Sequence, residues 1–365
     1  MTSTAQETVR LRIEDAKLPN PASESPEPQL DEPRRSGAFQ TKKAKRRYWT
    51  ILCLMALLSV AFGTGLIAWG NPMPVGSRGF WLIAERRVVS VVVMLIVAIC
   101  QAMATVAFQT VTNNRIITPS IMGFESLYRA VQTTSVYLFG LGGLIAFTGI
   151  WAFAFQAGIM MLLALGLYGW LLTGRYANLQ VMLLVGIVIG GGLGAVASFM
   201  QRLLTPSEFD VLTARMFGSI NNADVSYLPI AIPVVAGAGA LLWLRARTLN
   251  TVSLGRDAAM NLGINHKRNL IIVLILCSAL IATSTALVGP MTFLGFLVAT
   301  LAYQLADTYD HRFIFPMSIL AGFAVLSGAY FVMNHIFYAA GVVSIIIELV
   351  GGGLFLIVLL RKGSL

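Results

Sequence analysis

Apolar runs of roughly 18 residues or more recur from about residue 48 to the end of this chain, each long enough to cross a hydrocarbon layer of roughly 30 Å. Lipid offers no hydrogen bonds, so the backbone of each run must satisfy itself as helix. The runs lie at about 48–69, 84–109, 119–139, 146–173, 179–203, 226–246, 268–288, 291–306, 313–335 and 341–360. The expected fold is therefore an all-α polytopic membrane protein of about ten transmembrane helices. Only 12% of the residues are charged, about half the share of a soluble domain.

An even number of spans puts both termini on one side. The basic cluster Lys42, Lys43, Lys45, Arg46 and Arg47, with Arg115, Arg175, the 245–268 loop, Arg312 and Arg361–Lys362, falls on that side. This positive-inside pattern makes both termini cytoplasmic. Arg78, Arg86, Arg87, Arg202 and Arg215 are the exceptions and fall outside. The net charge of +10 thus concerns topology and anionic lipid and implies no nucleic-acid partner. Residues 1–47 are charged and proline-bearing and read as a disordered cytoplasmic tail, followed by a permease domain over 48–362. Cys53, Cys100 and Cys277 all fall in spans, which suggests small buried hydrophobes, with no disulfide or metal cluster.

No Walker loop, HExxH or GxSxG occurs, and His266, His311 and His335 are far apart in sequence. The residues predict no catalytic site, no metal and no cofactor bound by this chain. Glu125 and Arg129 stand four apart on one helical face and predict an internal ion pair. Glu348 stands alone in the last span and is a candidate for the translocation path. Gly186, Gly190 and Gly194 form overlapping GxxxG units in the fifth span, suited to close packing or to a thin wall beside that path. Gly351, Gly352 and Gly353 repeat the theme in the tenth. Gly289–Pro290 breaks a span, either as a turn near the outer side, the preferred reading, or buried in the bundle. Thr205, Pro206 and Glu208 predict a capped amphipathic helix over about 206–217 on the outer side, a candidate gate.

One polar stretch, 249–268, interrupts the apolar pattern between the sixth and seventh spans. Ser253 is expected to cap a short helix from Gly255 to Leu262, and Gly263 to end it in the left-handed conformation. Asn265 then caps the next span. Ala258, Ala259 and Met260 offer a small adaptable surface, suited to a groove in a partner.

The blocks "SLGRDAAMNLGINHKR", "QTVTNNRIITPSIMGFESLYRAVQT", "VGPMTFLGFLVATLAYQL" and "YDHRFIFPMSILAG" occur in that family's arrangement and resemble the FecCD permeases of iron–siderophore, haem and cobalamin importers. "EFDVLTARMFGSINN" and "VVSIIIELVGGGLF" resemble the subgroup handling catecholate-type ferric siderophores. The chain departs at Arg115, at Ala299–Thr300 and at His335. The resemblance implies a type II importer permease fold in the bacterial cytoplasmic membrane. It implies a second permease, identical or paralogous, and two ATPase subunits carrying ATP and Mg. Those would receive Ser253, Leu254, Gly255, Arg256, Asp257, Ala258, Ala259, Leu262 and Gly263. It also implies an extracytoplasmic substrate-binding protein, lipid-anchored or periplasmic, that docks on Arg86 and Arg87, with Arg215 as a further candidate. Ferric siderophore is the implied cargo. Haem or cobalamin on the same machine, and an ion-coupled secondary transporter, are the alternatives. Glu125, Arg129, Gly190, Gly194 and Glu348 are the expected path residues.

Overall fold

A computed structural model describes residues 37–146, 149–173, 179–220, 223–337 and 343–362. Most of the expected tail, Arg175, and the loop before the tenth span lie outside the described residues. Two compact units separate at Gln40/Thr41. The second holds all the helices named below.

Those helices are α1 (Lys42–Ala68), α2 (Arg78–Val111), α3 (Phe124–Ala146), α4 (Ile150–Thr173), α5 (Leu179–Gln201), α6 (Pro206–Met216) and α7 (Leu228–Leu244). They continue as α8 (Ala246–Val252), α9 (Arg256–Asn261), α10 (His266–Val288), α11 (Leu294–Ala306), α12 (His311–His335) and α13 (Val343–Lys362). Among the described residues six stretches are long and apolar enough to cross a membrane, and three shorter apolar helices accompany them. The helix starts follow local chemistry. Thr41, Ser77, Asn265 and Asp310 cap α1, α2, α10 and α12 with side-chain oxygens that accept backbone N–H groups. The basic cluster Lys42–Arg47 thus forms the first turns of α1 and does not belong to a disordered tail.

The spans separate into centre and periphery. In α2 and α10 78% of the most apolar window is buried, against 17% in α1 and α5. Small residues make the centre possible. Cys277 Sγ of α10 donates to the Ala104 carbonyl of α2 at 3.3 Å, and Gln101 Nε2 reaches Ser284 Oγ at 3.3 Å. Cys100 and Cys277 are buried as expected, whereas Cys53 is exposed on the outward face of α1.

Helix α6 packs by one side along α3. Glu208 lies against Gly140, where α3 kinks at φ 62°; Leu212 packs on Val136; and the Arg215 carbonyl accepts from Tyr128 Oη at 3.5 Å. Stepping down α6 therefore steps back along α3, so the two run antiparallel. The helix ends at Met216, and Gly218 then presses its backbone on the Pro290 carbonyl. Ser219 N–H donates to the Val288 carbonyl at 2.8 Å, and Ile220 N–H to Tyr330 Oη at 2.9 Å. The break at Gly289–Pro290, read from sequence as a turn near the outer side, is therefore covered by protein. Gly289, Pro290 and Met291 are all buried, because the residues after α6 cover them.

The start of α6 carries a pH dependence. Glu208 accepts from Thr205 N–H at 3.0 Å and from its hydroxyl at 2.8 Å. The backbone bond first, and then the hydroxyl, hold its carboxyl below the usual range. A depressed folded-state pKa adds stability above the ordinary glutamate value, about 4.3. That stability is lost as pH falls through the lower folded value. Wild type should therefore lose thermal stability over that acid window by more than Glu208→Gln does. Equal acid sensitivity in the two proteins would count against this.

Candidate functional site

At the end of the bundle that carries Lys42–Arg47, the 249–268 stretch folds as two short helices, α8 and α9. Gly255 opens α9 at φ 100°, and Gly263 follows it at φ 80°. Gly263 N–H bonds the Met260 carbonyl at 2.9 Å, and Ile264 N–H bonds Ala259 at 3.0 Å. These bonds satisfy the last carbonyls of a helix too short to hold itself. Ser253 does not cap α9. It ends α8, its hydroxyl donating back to the Asn250 carbonyl at 2.7 Å.

Leu254, in the turn before Gly255, is 63% exposed, and Leu262, which caps the end of α9, is 64% exposed, with the half-buried Ala258 between them in sequence. Arg256, Asp257 and Met260 are exposed as well, while Ala259 is fully buried and anchors the helix. Ala259 thus leaves the expected contact surface and joins the support.

Asn250 fixes this unit to the bundle. Its Nδ2 donates to Asp310 Oδ1 at 2.9 Å, and its Oδ1 accepts from His311 N–H at 2.9 Å. That orientation makes Oδ1 the acceptor for His311 Nδ1 at 2.6 Å, so Nδ1 carries the proton. His311 Nε2 lies 2.7 Å from Thr110 Oγ1 of α2. Burial would raise the Asp310 carboxyl, but hydrogen bonds from Asn250 and Arg312 and the Arg312 charge outweigh it and hold it below the usual range. One amide therefore ties α8 to α12 and, through His311, to α2.

A second, half-buried polar group joins α3, the segment before α11, and α13. Arg129 Nη2 pairs with Glu125 Oε1 at 3.1 Å, as the spacing predicts. Thr292 Oγ1 donates to Glu125 Oε2 at 2.5 Å. Glu348 does not stand alone: it accepts from Thr292 N–H and lies close enough to feel the Glu125 charge. Beside them, Gly190 meets Gly123 backbone to backbone, and Gly194 faces Ser126. The glycine stripe therefore seats α5 against the start of α3, where Glu125 projects. Gly191, Gly192 and Gly353 look into open space.

At the opposite end the expected docking arginines separate. Arg86 is exposed. Arg87 is occupied: its guanidinium donates to the carbonyls of Leu66, Ile67, Trp69 and Gly70, the closest at 2.8 Å. It closes the C-terminus of α1, whose last carbonyls lack partners in the helix. Arg215 does not sit on an open surface. It lines a cavity of about 270 Å³ with Tyr128, Gln132, Gln156, Tyr227 and Gly289.

Sequence reasoning missed Asn250, Thr110, Thr292, Gln132 and Gln156. Thr110, Gln132 and Thr292 stand in the quoted blocks and Asn250 in the 249–268 stretch, but no local pattern marks them. Among the described residues no group of three or more His, Cys, Asp or Glu could hold a metal ion.

Apolar helices long enough to cross a membrane, packed about the two most buried of them, α2 and α10, define a polytopic membrane protein. The fold agrees with a solved ABC transporter described as of metal-chelate type: TM-score 0.72 at 21% identity, covering 86% of this chain and 100% of that one. The chain belongs to the FecCD transport family, whose model matches residues 51–362. It is 51% identical over 335 residues to the petrobactin import system permease protein FatC of Bacillus anthracis, covering 92% of this chain and 95% of that protein. It is 36% identical over 279 residues to the petrobactin import permease YclO of Bacillus subtilis, covering 76% and 89%. It is a permease subunit of an ATP-binding-cassette importer.

Proposed function

We propose that this permease carries a ferric siderophore, the catecholate type being favoured, inward across the bacterial cytoplasmic membrane. The observation that carries the drive mechanism is the exposed pair Leu254 and Leu262 flanking a short helix anchored by the buried Ala259. Such a helix fits a groove in an ATPase subunit, which would bring the ATP and Mg that this chain has no motif to hold. Both termini are then cytoplasmic, on the side of the ATPases. The sparsely buried α5, with the open glycines of α5 and α13, suits a second permease, identical or paralogous. The substrate-binding protein docks at the opposite end. Arg86 is the residue free to meet its acids, with Arg87 shaping the ground beneath. Contacts of that kind govern encounter and weaken with salt.

The relatives' names make petrobactin the first cargo to test. Cells lacking this gene should lose uptake of radio-iron supplied as ferric petrobactin and recover it with the gene restored. Loss of haem uptake with siderophore uptake intact would replace the siderophore reading with the haem alternative. Uptake that survives ATP depletion but collapses with an uncoupler would instead favour an ion-coupled carrier.

A further inference from the structure

We propose that the cavity among Tyr128, Gln132, Gln156, Arg215 and Tyr227 is a holding site for an anionic oxygen-bearing arm of the cargo chelate. The inference rests on the ferric-siderophore reading and adds to it a place where the cargo pauses.

The cavity is chemically one-sided. Among its lining residues are one cation, Arg215, and no acid. Arg215 makes no ion pair with a carboxylate among the described residues, yet its charge reaches the phenols of both Tyr128 and Tyr227. Gln132 Nε2 donates to Gln156 Oε1 at 3.2 Å, which turns the amino group of Gln156 away from Gln132. That Nε2 is buried and has no hydrogen-bond partner. A guanidinium with five donors and an orphaned amide donor in one cavity lack only an acceptor. An anionic oxygen supplies it.

The walls suit an aromatic arm. Phe153 and Tyr227 stack with centroids 5.0 Å apart and planes 11° from parallel, and both rings line the cavity. The volume of about 270 Å³ lies just below the usual range for small-molecule pockets, so it suits one arm of a chelate rather than the whole complex. Ferric iron is bound by anionic oxygens, and a ferric tris-catecholate is itself an anion with flat aromatic arms. Gly289 lines the cavity, and three residues on Thr292 holds the Arg129-paired Glu125 beside Glu348. Arg215, read from sequence as a docking residue, becomes a cargo-binding one.

The test uses the whole complex of permeases and ATPases in lipid nanodiscs, without the binding protein. Retention of a radio-iron ferric tris-catecholate is measured for wild type, Arg215→Gln, Arg215→Lys and Gln156→Leu. Wild type should retain the probe, and an uncharged ferric trihydroxamate should not displace it. Arg215→Gln should weaken retention about tenfold or more, the size expected for losing a charged hydrogen bond, and Arg215→Lys less. Gln156→Leu should weaken it with the charge intact, and it carries the test if Arg215→Gln fails to assemble. Wild-type retention in both Arg215→Gln and Gln156→Leu overturns the proposal. So does a wild-type complex that imports the catecholate with its binding protein yet retains none without it. A wild-type complex that cannot import the catecholate at all overturns the cargo reading instead.

Discussion

Replacing Ala258 with tryptophan is expected to stop transport and the ATP hydrolysis that depends on it, while the protein still folds. Ala258 lies in α9 between the exposed Leu254 and Leu262 that flank the helix, half-buried at the rim of the support. An indole there would stand proud of a surface that must close on a partner groove. Overpacking a well-fitted contact costs about 1–3 kcal/mol, and each 1.4 kcal/mol is about tenfold in affinity. Uptake should therefore fall by about tenfold or more. Ala259→Trp is the contrast: Ala259 is fully buried, so its indole would displace α9 itself and lower the yield of folded protein. Uptake and coupled hydrolysis that both persist in Ala258→Trp would remove α9 from the drive mechanism.

Gly289→Ala should be the most damaging of the glycine-to-alanine changes at turns. Its φ is 91°, and an added Cβ would lie 3.1 Å from the Cα of Gly218. Left-handed backbone costs a non-glycine residue about 1–2 kcal/mol, and forced overpacking about 1–3 kcal/mol more. Gly218→Ala should share the second cost, because its Cβ would collide with the Pro290 carbonyl. Gly255→Ala should share only the first: its φ is 100°, but nothing lies within 4 Å. Thermal stability of the purified variants should rank wild type highest, then Gly255→Ala, with Gly289→Ala lowest. A Gly289→Ala protein as stable as Gly255→Ala would show that the loop after α6 does not bear on the break.

What the sequence made legible was local. Gly255, Gly263 and Asn265 act where their neighbours put them, because a helix end is decided within a turn. Ser253 was misread for a related reason: α8 already occupies the residues before it, so its hydroxyl bonds backward to Asn250. The Glu125–Arg129 pair followed from helical spacing alone. Glu348 did not, because its partner Thr292 lies 56 positions earlier (348 minus 292) and only the packing of α13 on α11 brings them together. Gly289–Pro290 breaks a helix equally well exposed or buried, and Gly218 decided between them. Arg87 looked available for a partner because sequence cannot show that the end of α1 needs its hydrogen bonds.

The Asn250 junction sets how the machine would lose or keep motion. A docking helix on a slack loop would absorb part of each ATPase stroke as backlash. Here one amide holds α8 to α12 and, through His311, to α2, so little play remains between input and output. Under the proposed function, the consequence is a fixed gear ratio: the number of ATP molecules hydrolysed per chelate imported should stay constant as the load changes.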